Sequence, residues 1–192
     1  MMTAASDWII LLRGINVGGK ARVRMADLKE ALEEAGLENV QSYIQSGNLI
    51  AGRGGMEDEV KAVVERAFMG KFGFHSEVML RTVEQWRSVL ESLPFRLPEI
   101  EEAESKGQGE SLYVCFLHDA PAEEAAGMLR ELESAEERFA VRGREIYLLF
   151  HGSIRDSKLA VRLGRIAPNS TVRNWKTVSK LKELADGRLS RH

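Results

Sequence analysis

One pattern constrains the fold of this 192-residue chain more than any other: the order strand, helix, strand hairpin, helix, strand, helix can be read twice, at about the same length. In the first half Trp8–Leu12 reads as a strand. Leu28, Ala31, Leu32 and Ala35 then recur at helical spacing before Gly36. Val40–Gln45 and Leu49–Ala51 form a hairpin about Ser46-Gly47-Asn48, with Gly47 and Asn48 supplying the left-handed backbone of a tight turn. Val60, Val64 and Phe68 mark a second helix closed by Gly70 or Gly73, and His75–Arg81 reads as a fourth strand. Thr82 and Gln85 have capping-box spacing ahead of a helix that buries Trp86, Val89 and Leu93.

The second half repeats the order. Leu112–Leu117 is a strand, followed by a helix with Pro121 in its first turn and Ala125, Met128, Leu129 and Leu132 as its buried stripe. Arg138–Arg142 and Glu145–Phe150 pair about Gly143, and Leu159, Leu163 and Ile166 share a helical face. Thr171–Arg173 is a short strand. Asn174 caps a last helix that Gly187 ends. The predicted fold is α+β: duplicated ferredoxin-like βαββαβ units with mainly antiparallel sheets and an extra helix after each. The division is 1–95 for the first unit, 96–110 for an acidic linker and 111–192 for a second unit ending in a basic helix. Ile9–Leu12, Tyr113–Leu117 and Ile146–Phe150 are apolar at every position, so both faces of each sheet are expected to be covered.

Composition excludes several function classes. At 44% hydrophobic and 29% charged residues the chain is ordinary for a globular protein, and Trp8–Leu12 is far too short to span a membrane, so a cytoplasmic protein is expected. The single cysteine, Cys115, lies in an apolar run and reads as core, which excludes an intrachain disulfide framework. The four histidines show no helical pairing with carboxylates, so neither a metal site nor a cofactor is expected. Charge is uneven. Up to residue 150 there are 17 basic against 26 acidic residues, and beyond it 10 against 3. The basic tail points to an anionic partner or to a solvated helix face.

The local chemistry points the same way. Arg13, Lys20, Arg22 and Arg24 share a loop with Gly14, Gly18 and Gly19, and no acid intervenes before Asp27. Backbone amides and cations in one loop suit an anion. Gly14 to Lys20 matches a P-loop spacing, but Ala21 replaces the hydroxyl residue that would ligate magnesium, and the extended pattern Ala21–Met25 replaces the immediate helix. His118-Asp119 imitates the end of a Walker B strand, although Asp119 reads better as a helix cap. Asn16, Gln45 and Asn48 can present amides beside the loop, while Ser157-Lys158 and Arg173-Asn174 stand at predicted helix starts. The aromatic strand motif of an RNA-recognition module is missing.

Four phrases, Leu12 to Lys20, Tyr43 to Asn48, Ser157-Lys158-Leu159 and Arg173-Asn174-Trp175, together resemble a bacterial family catalogued as domain of unknown function 1697. The resemblance implies an α+β fold of duplicated ferredoxin-like units and implies no activity. The chain departs from the family pattern at Ala21 and Lys176, where asparagine is expected.

The function expected from the sequence is binding of an anionic ligand, a nucleotide or a nucleic-acid phosphate, near the interface of the two halves. Arg13, Asn16, Lys20, Gln45, Asn48, Lys158, Arg173 and Asn174 are the candidate contacts. The alternatives are an enzyme acting on a phosphorylated or carboxylate small molecule, with Lys20 or Lys158 transferring protons, and a protein–protein adaptor. Oligomeric state is left open.

Overall fold

A computed structural model describes residues 6–19, 21–107 and 109–189. The first repeat comprises β1 (Ser6–Leu12), α1 (Met25–Glu34), β2 (Glu38–Tyr43), β3 (Asn48–Arg53), α2 (Glu57–Phe72) and β4 (Val78–Thr82). Helices α3 (Val83–Glu91) and α4 (Leu97–Lys106) follow. The second repeat comprises β5 (Leu112–Phe116), α5 (Glu123–Arg130), β6 (Glu137–Arg142), β7 (Glu145–Phe150), α6 (Lys158–Ile166) and β8 (Thr171–Asn174), and α7 (Trp175–Leu189) ends the chain.

The sheets run β2-β3-β1-β4 and β6-β7-β5-β8, antiparallel throughout, so the strand order is the same in both repeats. This is the duplicated ferredoxin-like architecture that the sequence predicts. In each sheet the strand that opens the repeat is central, and it is buried on both faces, as its apolar run requires: Ile9 to Leu12 and Val114 to Phe116 are all buried. One face of the first sheet joins Ile10, Leu12 and Leu49 to Leu28 and Leu32 of α1 and Val64 and Phe68 of α2. Phe68, Phe72 and Phe74 extend that core as an aromatic cluster with centroids 4.9 to 6.4 Å apart. The second core joins Cys115, Ile146 and Leu148 to Leu129 of α5 and Leu159 and Leu163 of α6. Cys115 is a buried free thiol.

Several details differ from expectation. Residues 97–106, inside the expected acidic linker, are helical because the acids lie on an outer face while Ile100 and Ala103 turn inward. By contacts the chain divides into residues up to Ser88 with those from Lys180, and Val89–Ser179, so the boundaries fall inside α3 and α7 rather than at a linker. Pro121 precedes α5 instead of standing in its first turn, Met128 is exposed, and Asp119 does not cap the helix, whose N-cap is Ala122. Gly187 lies within α7. Elsewhere the local chemistry acts as read: Thr82 and Gln85 exchange both capping-box hydrogen bonds, at 2.9 and 3.2 Å.

Arg188, near the end of α7, forks onto Asp7 of β1 at 2.9 and 2.8 Å and donates a third hydrogen bond to the Asn39 carbonyl. Both charged side chains are nearly buried, at 11% and 12% exposure. Two parallel hydrogen bonds therefore compensate the charges taken out of water. Among the described residues no helix is long and apolar enough to cross a membrane.

Candidate functional site: a cationic pocket at the glycine-rich loop

The described residues of the loop between β1 and α1 are held by buried side chains and hydrogen bonds. Ile15 and Val23 are buried, anchoring it at two points in the first core. Between them the Asn16 side chain acts as a clasp. Its Nδ2 donates to the carbonyls of Val23, at 2.9 Å, and Gln45, at 2.8 Å, while its Oδ1 accepts from the Val23 amide at 2.8 Å. Asn16 itself is left-handed (φ 55°), a conformation asparagine tolerates better than most residues. Gly14, Gly18 and Gly19 share that region, as does Ala21 (φ 51°). Left-handed backbone at a non-glycine residue costs energy and persists only where its surroundings enforce it.

The β2–β3 turn lies against this loop. Gly47 takes φ 80° and its carbonyl accepts from the Leu12 amide at 2.7 Å. The second left-handed residue is Ile44 (φ 51°), not Asn48, which already belongs to β3. Asn48 is fully buried and its Nδ2 donates to the Tyr43 carbonyl and Ser46 Oγ at 3.2 and 2.9 Å. Its amide closes the turn from within.

A pocket of about 570 Å³ opens where these segments meet the start of α1, lined by Asn16, Gly19, Arg22 and Arg24, the first residues of α1, and Gln45. The N-cap position of α1 is Arg24, which is extended, and no side chain caps the helix. Its first helical hydrogen bond runs from the Leu28 amide to the Arg24 carbonyl, so the preceding amides face outward at the positive end of the helix. Asp27, in the first turn and 3.8 Å from Arg24 Nε, answers part of that field. Helix-end amides, Arg22 and Arg24 together make a surface suited to phosphate or carboxylate.

The other predicted contacts have different roles. Arg13 is exposed, and its backbone pairs with Ser76 and Glu77. Lys20 lies outside the described residues. Lys158 is exposed at the start of α6 on a separate pocket of about 260 Å³. The positive end of α6 already holds an internal anion: Glu137 Oε2 accepts from Ser157 Oγ at 2.9 Å and from the Leu159 amide at 3.1 Å. Asn174 caps α7, its Oδ1 accepting from the Thr177 amide at 2.9 Å. Arg173 is half-buried and donates to Thr171 Oγ1 and the Val172 carbonyl at 3.0 and 2.9 Å; burial pulls its guanidinium down to about 10.

The structure therefore brings Asn16 and Gln45 together, with Arg22 and Arg24 rather than Arg13 as their cationic neighbours. The signal for those two arginines was legible in the alternation of Val23 with its flanking cations. The free end of α1 was not legible, because the absence of a capping side chain becomes evident only once the helix start is fixed at Met25.

The family model described as a protein of unknown function (DUF1697) matches residues 5–147. A search of curated proteins gives no match. Among solved structures, the conserved bacterial protein SP0830 from Streptococcus pneumoniae is similar with a TM-score of 0.71 at 24% identity, over 95% of this chain and 99% of that one. That likeness concerns the fold.

Proposed function

This chain belongs to the DUF1697 family of proteins of unknown function, and we propose that it binds the anionic group of a nucleotide or of a nucleic-acid backbone in the pocket beside its glycine-rich loop. The observation that carries this reading is that Arg22, Arg24 and the uncapped start of α1 line one pocket together with Asn16 and Gln45. The clasped loop supports it further. A loop held in place before the ligand arrives loses little entropy on binding, so a small number of hydrogen bonds yields useful affinity.

Binding is favoured over catalysis because the described residues lining the pocket include no carboxylate, histidine or thiol to move a proton. Lys158, the candidate proton donor of the second half, lines a different pocket.

The test uses inorganic pyrophosphate and a single-stranded oligonucleotide as probes. Pyrophosphate that raises the melting temperature at moderate salt supports a small anionic ligand; a ligand present at about 100 times its Kd stabilises by about 2.7 kcal/mol. Oligonucleotide affinity that falls steeply with salt supports a nucleic-acid backbone instead. Absence of both responses refutes the reading.

A further inference from the structure

A second constellation lies outside this pocket. Glu65 of α2, with His75 and Glu77 ahead of β4, places one donor atom from each residue within 4.8 Å of the others. His75 Nε2 and Glu77 Oε1 are 3.4 Å apart. A zinc ion held at about 2.0 to 2.1 Å by two ligands in tetrahedral geometry separates them by about 3.4 Å, so this pair already has the spacing of one tetrahedral edge. We propose that Glu65, His75 and Glu77 form a binding site for a divalent transition-metal ion of the zinc type.

The backbone carrying two of the three ligands is held from behind. Ser76, between them, is buried, and its Oγ donates to the Arg13 carbonyl at 2.9 Å; the Arg13 amide donates to the Glu77 carbonyl at 3.0 Å. With Ser76 turned inward, the alternation of a chain entering a strand sends His75 and Glu77 outward on the same side. Glu65 reaches them from a separate element, the middle of α2.

Two carboxylates this close repel one another unless a cation lies nearby. Lys61, one helical turn before Glu65, stands 3.7 Å from it and serves as the resident counter-ion. A divalent ion takes over that role by displacing a solvent-accessible lysine. The imidazole selects the class of ion, since nitrogen donors suit zinc and its neighbours while calcium and magnesium prefer all-oxygen sets. Three protein ligands leave the fourth tetrahedral position to water or to an added ligand.

The experiment titrates the full chain, stripped with chelator, with Zn²⁺ alone by calorimetry, and with Co²⁺ by visible absorption. One ion per chain is expected, with cobalt bands of a four-coordinate site. His75→Ala and Glu77→Gln should each weaken zinc about tenfold or more, since changing even the outer partners of metal ligands costs 10–100-fold. Lys61→Ala, which removes the competing cation, should bind zinc at least as tightly as the parent, and a paired His118→Ala and His151→Ala variant should bind like the parent. Circular dichroism melts of each variant verify that it is folded. No saturable one-to-one binding, or unchanged affinity in folded His75→Ala/Glu77→Gln, overturns the proposal.

Discussion

The side-chain amide of Asn16 donates to the backbone carbonyl of Gln45 at 2.8 Å, joining two loops 29 residues apart in sequence. The same side chain closes its own loop through two hydrogen bonds to Val23. A single residue thus ties together two segments that line the proposed anion pocket. Replacing it with alanine leaves the carbonyls of Val23 and Gln45 and the Val23 amide without this partner. Asn16→Ala should cost about 1–3 kcal/mol in urea unfolding. It should also weaken pyrophosphate binding even though the arginines remain. Unchanged stability would show that the clasp does not hold the loop.

Gly47 sits where the turn crosses the end of β1. A Cβ built there would lie 2.8 Å from Leu12 Cβ and 3.0 Å from the Leu12 carbonyl oxygen, at φ 80°. Sterics and backbone conformation therefore oppose any side chain. Gly47→Ala should destabilise by about 1–3 kcal/mol, the cost of enforced left-handed backbone, with the close contact adding to it. Thermal denaturation measures it directly.

Glu137 fills the positive end of α6, accepting from Ser157 Oγ and the Leu159 amide. Glu137→Ala should lower stability by about 1 kcal/mol, as loss of a helix cap commonly does. Lys158→Ala, at the same helix start, should leave anion binding unchanged in a pyrophosphate titration.

The acid limb of stability should depend on Glu99. Arg138, whose Nη1 lies 2.5 Å away, and Arg96, through both its amide and its side chain, hold the Glu99 carboxyl near 2, below its ordinary 4.5. A carboxyl with a lowered folded value stabilises above its unfolded value and loses that contribution as pH falls through the folded one. Melting temperature should therefore decline between about pH 4.5 and pH 2, and Glu99→Gln should flatten that decline. An identical acid limb in the variant would contradict the assignment.

The duplicated βαββαβ element order was legible because the two repeats carry the same succession of periodicities, with strands buried on both faces showing as unbroken apolar runs such as Ile9–Leu12. Less was legible where one residue type serves two purposes. Glutamates crowd residues 99–110 and look like a linker, yet Ile100 and Ala103 suffice to fold 97–106 as a helix. Ile44 adopts a left-handed conformation unfavourable to a β-branched side chain, so residue preference alone points to Gly47 and Asn48 instead. For the site, the glycine-rich loop and its cations were visible, as were Asn16 and Gln45. Hidden from sequence was which helix starts remain open. The cap of α7 by Asn174 was legible, but Glu137, which fills the start of α6, comes from a strand 20 residues upstream of Ser157.

The central claim is that Arg22, Arg24 and the start of α1 bind an anion, and calorimetric titration with pyrophosphate tests it most directly. The parent chain and a Lys158→Ala/Arg173→Ala variant should bind one pyrophosphate with similar affinity. The Arg22→Ala/Arg24→Ala variant, folded by circular dichroism, should bind at least about tenfold more weakly, since a hydrogen bond to a charged group contributes about 1.5–3 kcal/mol. Equal affinity in the parent and the Arg22→Ala/Arg24→Ala variant, or no binding to the parent, would contradict the account.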